Sequence, residues 1–140
     1  ERLAERLADA GVSKIYSSPV PRAFETATIV SHKLDLPLQT ADALREFDCG
    51  VLEGRSGPIA WMRFSLILHQ WFARKHLEKR FRDGESFLDV RQRFMGFVDE
   101  LVSCHSGTDS RILCITHAGA LQIGLTGLFS DLPFEPIIGW

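Results

Sequence analysis

Apolar residues along the chain alternate between two spacings, and the alternation sets out the elements. Leu3, Ala4, Leu7 and Ala8 recur at helical spacing, and Gly11 is placed to end that helix. "VSKIYSS" from Val12 then reads as a short strand. Ser18 is placed to cap a following helix with Pro19 at its first position, and Ala23, Ala27, Val30 and Leu34 mark its buried stripe. Two alanines on that stripe predict close approach to a sheet. A short strand is predicted around Leu38 to Thr40, then a loop carrying Glu46.

Residues 50–58, "GVLEGRSGP", have loop chemistry. From Ile59 to about Phe81 the pattern is helical, with Trp61, Phe64, Leu68, Trp71 and Phe72 as its stripe and the basic run 74–82 at its end. Asp83-Gly84 breaks it. Ser86 with Asp89 three residues on is a capping-box pattern, and Val90, Phe94, Phe97, Val98 and Leu101 form the apolar face of the helix that follows. "RILCIT", 111–116, reads as a strand buried on both faces, as in a parallel sheet covered by helices. His117 follows directly, then a helix with Leu121, Leu125 and Leu128 on one side. "LPFEPIIGW" closes the chain as a loop or an unfinished element. Strands alternating with helices predict an α/β fold: a three-layer sandwich, a mainly parallel sheet with helices on both faces, in one domain over 1–140.

Composition narrows the function classes without naming one. A net charge of −2 gives no global field for nucleic acid or membrane, and no apolar run reaches membrane-span length. Three cysteines without CxxC spacing favour a reducing compartment, hence a cytoplasmic location, over a disulfide framework. No metal site and no cofactor is expected, since Walker A and GxGxxG patterns do not occur and the histidines lack ligand spacing. "GRSG" at 54–57 is not a nucleophile elbow.

Candidate chemistry sits where two strands end, the usual ligand edge of an open α/β sheet. The first strand delivers Ser17, Ser18 and Arg22 at a helix start. The strand 111–116 delivers His117, with Ala118 and Gly119 opening another helix. Helix N-termini attract anions, and Arg22 adds a planar fork suited to phosphate. Arg22 paired with Glu25 or Glu46, and His117 as a satisfied strand-end histidine, are the plainer readings of each residue alone. Glu46, between Leu44 and Phe47, is the third candidate, as a general acid beside an apolar wall or as an exposed loop glutamate. The basic run 74–82 reads as a solvated helix end or an anion-attracting rim. The Trp61–Phe72 stripe reads as core, lid or dimer face, so a homodimer stays open.

Four segments, in order, resemble the histidine phosphatase superfamily, the phosphoglycerate-mutase-like proteins. They are "SSPVPRAFETA" (17–27), "LREFDCGVLEG" (44–54), "GES" (84–86) and "ITHAGAL" (115–121). The resemblance implies attack of a histidine on phosphorus to form a phosphohistidine. Arg22 would clamp the phosphoryl group, Glu46 would act as acid and then base, and His117 would be the second histidine. Ser18, Ala118 and Gly119 would contact a small phosphorylated substrate. The family's nucleophile lies in an Arg-His-Gly motif, which this sequence lacks. The resemblance places that motif upstream of Glu1, with a strand of the sheet, and a further strand beyond Trp140. The expected activity is that of a phosphatase in the complete protein, with a phosphoglycerate-type mutase or a non-catalytic phosphate-binding module as alternatives. The 140 residues alone are expected to be inactive.

Overall fold

The computed structural model describes residues 2–129; the closing segment read as loop or unfinished element lies outside the described residues. The fold is α/β, and the described residues form two compact units. One holds the chain up to Glu46 together with Gly96–Ala118. The other holds Phe47–Met95 together with the described residues from Gly119.

The first unit is built on a three-stranded parallel sheet. Its central strand β1, Val12–Ser17, pairs with β2, Leu38–Thr40, on one side and β3, Arg111–Ile115, on the other. Register sets Ile15 beside Leu38 and Leu113, and Ser17 beside Thr40 and Ile115. Successive side chains alternate faces. Ile15, Leu113 and Ile115 therefore share one face, where they pack with Ala4 of α1, Arg2–Leu7, and with Ala27 and Val30 of α2, Pro21–Leu34. The alanines at 23 and 27 are buried, and their small side chains let the α2 backbone lie close to the sheet, as the stripe predicts. Tyr16 points to the opposite face and meets Phe97 edge-on at 5.4 Å, so helices cover both faces. Phe97 belongs to α4, Phe87–His105, which starts in the second unit and ends in the first.

Two expectations change here. β3 is not buried on both faces: Arg111 and Cys114 are exposed and the rest is half-buried. Among the described residues β3 pairs only with β1, which leaves it at an edge. The start of α2 also moves. Val20 is the N-cap and Pro21 the first helical residue, with no side-chain cap on Val20. The Ser18 hydroxyl accepts the Val20 N–H at 3.2 Å, so it serves a donor one step ahead of the helix.

The second unit has an aromatic core. Phe47, Trp71, Phe81, Phe87 and Val90 pack with Ala120 and Ile123. Trp71, Phe81 and Phe87 are fully buried, each side chain stabilising the fold by roughly 1.5–3 kcal/mol or more. α3 spans Pro58–Phe72 and does not run on to Phe81. Lys75 takes a left-handed conformation at φ 60°, and the Trp71 indole N–H donates to the Lys79 carbonyl. The chain thereby folds back and delivers Phe81 against Phe47 and Trp71 at 5.8 and 5.4 Å between ring centres. The basic run is thus a turn and a bridge segment, not a helix end. Trp71 is core, whereas Trp61 is 61% exposed.

The capping box forms as predicted. Ser86 N–H and Oγ–H both donate to Asp89 Oδ2, at 2.8 and 2.7 Å, and Asp89 N–H donates to Ser86 Oγ at 3.2 Å. In α5, Ala118–Leu128, the buried side is Ala120, Ile123 and Gly124, while Leu121 and Leu128 face outward. The small residues win that face because Phe94 of α4 lies over Gly124, where even a methyl group would sit 2.3 Å from its ring.

Candidate functional site

β1 and β3 run parallel, so both release their chains at one end of the sheet. Ser17 and Ser18 leave β1 there, and both are completely buried. Buried hydroxyls need partners. Ser17 Oγ donates to the Ser18 carbonyl at 2.9 Å, and Ser18 N–H donates to the Ile115 carbonyl at 2.9 Å, closing the strand pair. His117 leaves β3 at the same end and is buried, 7% exposed. Its Nε2 lies 2.8 Å from Ser18 Oγ, which also accepts the Val20 N–H. The structure therefore brings Ser18 and His117 together across 99 residues of sequence. The Ser18 hydroxyl orients the imidazole, a task the sequence reading did not give it.

Glu46 is half-buried. Its loop is tied to the same end of the sheet by Thr116, whose hydroxyl donates to the Leu44 carbonyl at 2.7 Å. That bond lies one residue before His117 and two before Glu46. Sequence reading missed Thr116. The only signal for it was a hydroxyl at the last position of an apolar run.

Arg22 sits in the first turn of α2 and is exposed. Among the described residues no ion pair or side-chain hydrogen bond engages its guanidinium, so pairing with Glu25 or Glu46 is not what holds it there. The first turn of α2 contains no acidic residue. Ala118 and Gly119 form the start of α5, with Ala118 exposed and Gly119 half-buried. No helix among the described residues is long and apolar enough to cross a membrane.

A buried imidazole, a carboxylate loop pinned to the same sheet end and an uncompensated guanidinium are groups suited to holding a tetrahedral oxyanion and moving a proton on it. Comparison with known proteins gives the family. A family model for the histidine phosphatase superfamily (branch 1) matches residues 1–137. Phosphoserine phosphatase 1 of Hydrogenobacter thermophilus is 28% identical over 103 residues, 74% of this chain and 48% of that protein. A probable phosphoglycerate mutase GpmB of Yersinia pestis is 31% identical over 131 residues, 90% of this chain and 57% of that protein. The chain thus spans about half the length of the curated relatives it matches. Among solved structures, YhfR of Bacillus stearothermophilus superposes with a TM-score of 0.77 at 32% identity, over 95% of this chain and 64% of that one. The order of the four segments, the parallel sheet and the family match agree: the chain belongs to the histidine phosphatase superfamily, branch 1.

Proposed function

We propose that this chain carries the phosphate-holding and proton-transfer groups of a phosphomonoesterase that works through a phosphohistidine on a small phosphorylated metabolite. The observation that supports it most is Arg22, an exposed guanidinium at a helix start with no protein partner among the described residues, close in sequence to the buried Ser18–His117 pair. Arg22 grips the phosphoryl oxygens in two parallel hydrogen bonds. His117, oriented by Ser18, donates to a second oxygen as negative charge spreads over the equatorial positions. Glu46 protonates the leaving alcohol and then takes a proton from the attacking water. The backbone N–H of Ala118 at the α5 start adds a donor to the same anion.

The substrate class follows the names of the relatives, a phosphoserine phosphatase and a probable phosphoglycerate mutase. The attacking histidine is assigned to none of the 140 residues, which contain no Arg-His-Gly, so the chain by itself binds phosphate without turnover. Cys49, Cys104 and Cys114, which form no disulfide among the described residues, support a reducing, cytoplasmic setting. The exposed Ile59, Trp61 and Met62 support a homodimer through α3.

The test uses the full-length gene product with p-nitrophenyl phosphate. Arg22→Ala lowers kcat/KM by roughly 10²–10³, the usual loss for one preorganised charge-stabilising donor. Acid quenching during turnover traps label on histidine. An unchanged rate in Arg22→Ala, or no trapped phosphohistidine, removes the reading. Return of phosphate to the substrate in place of its release identifies the mutase alternative.

A further inference from the structure

The second unit contains a cavity of about 640 Å³ whose polar lining is entirely arginine, set among apolar side chains. Arg55, Arg63, Arg80 and Arg82 all border it, over a floor that includes Ile67 and Phe81. No carboxylate lines it. Four like charges around one concavity repel one another, and the arrangement needs a reason.

The wall is held in place. Arg63 and Ile67 lie one helical turn apart on α3, so they face the same way. Arg80 and Arg82 flank Phe81, whose buried ring anchors the segment in the aromatic core. The Arg82 carbonyl accepts the Val51 N–H at 3.0 Å, and Val51 is itself part of the lining. Protein carboxylates neutralise only part of the charge. Arg80 meets Asp89 at 3.0 Å and Arg82 meets Asp83 at 3.8 Å. Among the described residues Arg55 and Arg63 have no ion-pair partner. The nearby Glu53 is engaged elsewhere, accepting the Cys49 N–H at 2.9 Å.

We propose that this cavity binds a small polyanion, a molecule carrying two or more linked phosphate groups. The volume lies within the roughly 300–1,000 Å³ of small-molecule sites, far more than one phosphate fills. Each guanidinium offers a planar fork for phosphate oxygens. Arg55 and Arg63 supply the uncompensated charge, while Arg80 and Arg82 add donors from the opposite chain segment. All four side chains are exposed, so binding is strongest at low ionic strength and weakens with salt. The inference does not depend on the proposed function, because it uses none of Arg22, Glu46 or His117.

Isothermal titration at low ionic strength, with inorganic tripolyphosphate and orthophosphate as probes, tests it. The chain binds tripolyphosphate at least about tenfold more tightly than orthophosphate. The double variant Arg55→Ala/Arg63→Ala binds tripolyphosphate at least about tenfold more weakly, whereas Arg6→Ala, an exposed arginine of α1 outside the cavity, stays within about twofold. Equal affinity for the two probes, or an unaltered double variant, overturns the proposal. An equal loss in Arg6→Ala marks a general charge effect and also overturns it. Should the double variant fail to fold, nitrogen NMR of the wild-type guanidinium groups decides: titration shifts the Arg55 and Arg63 Nε signals, and unmoved signals refute the site.

Discussion

Gly50→Ala offers a direct check on the backbone contact that shapes the second unit. Gly50 has φ 54°, and a Cβ there would lie 2.0 Å from the Arg82 carbonyl oxygen and 2.6 Å from Gly84 N. Across the contact, a Cβ on Gly84 would lie 2.4 Å from the Asp48 carbonyl oxygen. Two backbone segments touch there, joined by Val51 N–H to Arg82 O at 3.0 Å and Glu85 N–H to Asp48 O at 2.9 Å. Neither segment can yield by rotating a side chain. The left-handed conformation costs alanine about 1–2 kcal/mol, and overpacking adds about 1–3 kcal/mol, giving about 2–5 kcal/mol in all. Gly54 separates the two contributions. Its φ is 67° and nothing lies within 4 Å of its would-be Cβ, so Gly54→Ala bears only the conformational part. Urea denaturation should therefore rank Gly50→Ala below Gly54→Ala by about 1–3 kcal/mol. Gly84→Ala should lose about 1–3 kcal/mol through the same contact, and the double variant should lose less than the sum. Equal midpoints for Gly50→Ala and Gly54→Ala, or strict additivity of the two contact variants, would refute the reasoning.

Two further perturbations probe other parts of the molecule. The Ser86 backbone N–H, then its hydroxyl, and the nearby Arg80 hold the Asp89 carboxyl below its ordinary pKa of 3.8. A group depressed on folding stabilises above its unfolded pKa and stops doing so as pH falls through the folded value. Wild type should thus exceed Asp89→Asn by about 1 kcal/mol near pH 6, and the gap should shrink towards pH 2; a constant gap in urea melts contradicts the assignment. Ser18→Ala strips the part-buried Val20 N–H of its acceptor and removes the buried 2.8 Å bond to His117. It should lose about 1–3 kcal/mol in the same assay and shift the nitrogen NMR signals of the His117 ring, while a variant with wild-type stability and unmoved signals argues against the pair.

Much of the fold was legible because each strand carries its own local signal. Val12–Ser17, Leu38–Thr40 and Arg111–Ile115 are apolar or β-branched runs bounded by turn residues. The end of α3 was not legible. Its stop is Lys75 in a conformation that usually falls to glycine, imposed by the pull of Phe81 into the aromatic core. Nor was the buried side of α5, since Gly124 earns its place only through Phe94, thirty residues earlier. The site divides the same way. Arg22 and His117 stand at strand ends, where position alone suggests chemistry. The Ser18–His117 and Thr116–Leu44 bonds span 99 and 72 residues, and no local pattern announces them.

The α2 start shows what such long-range bonds change. From sequence, the helix end itself offers an anion a row of free N–H groups. In the structure most of that row is gone. Pro19 and Pro21 have no N–H, and the Val20 N–H is given to Ser18. The Ala23 N–H turns back to the Val20 carbonyl at 3.0 Å. Arg22 is left with the remaining backbone donor of the turn and an unpaired guanidinium. Helix-end electrostatics contribute about 0.3–1 kcal/mol at an exposed site, less than a charged, bidentate hydrogen-bonding group can supply. An anion bound at this end of the sheet, as proposed, would therefore be held by the Arg22 side chain more than by the helix behind it. The prolines that would weaken an amide-based site would do no harm to one built on that guanidinium.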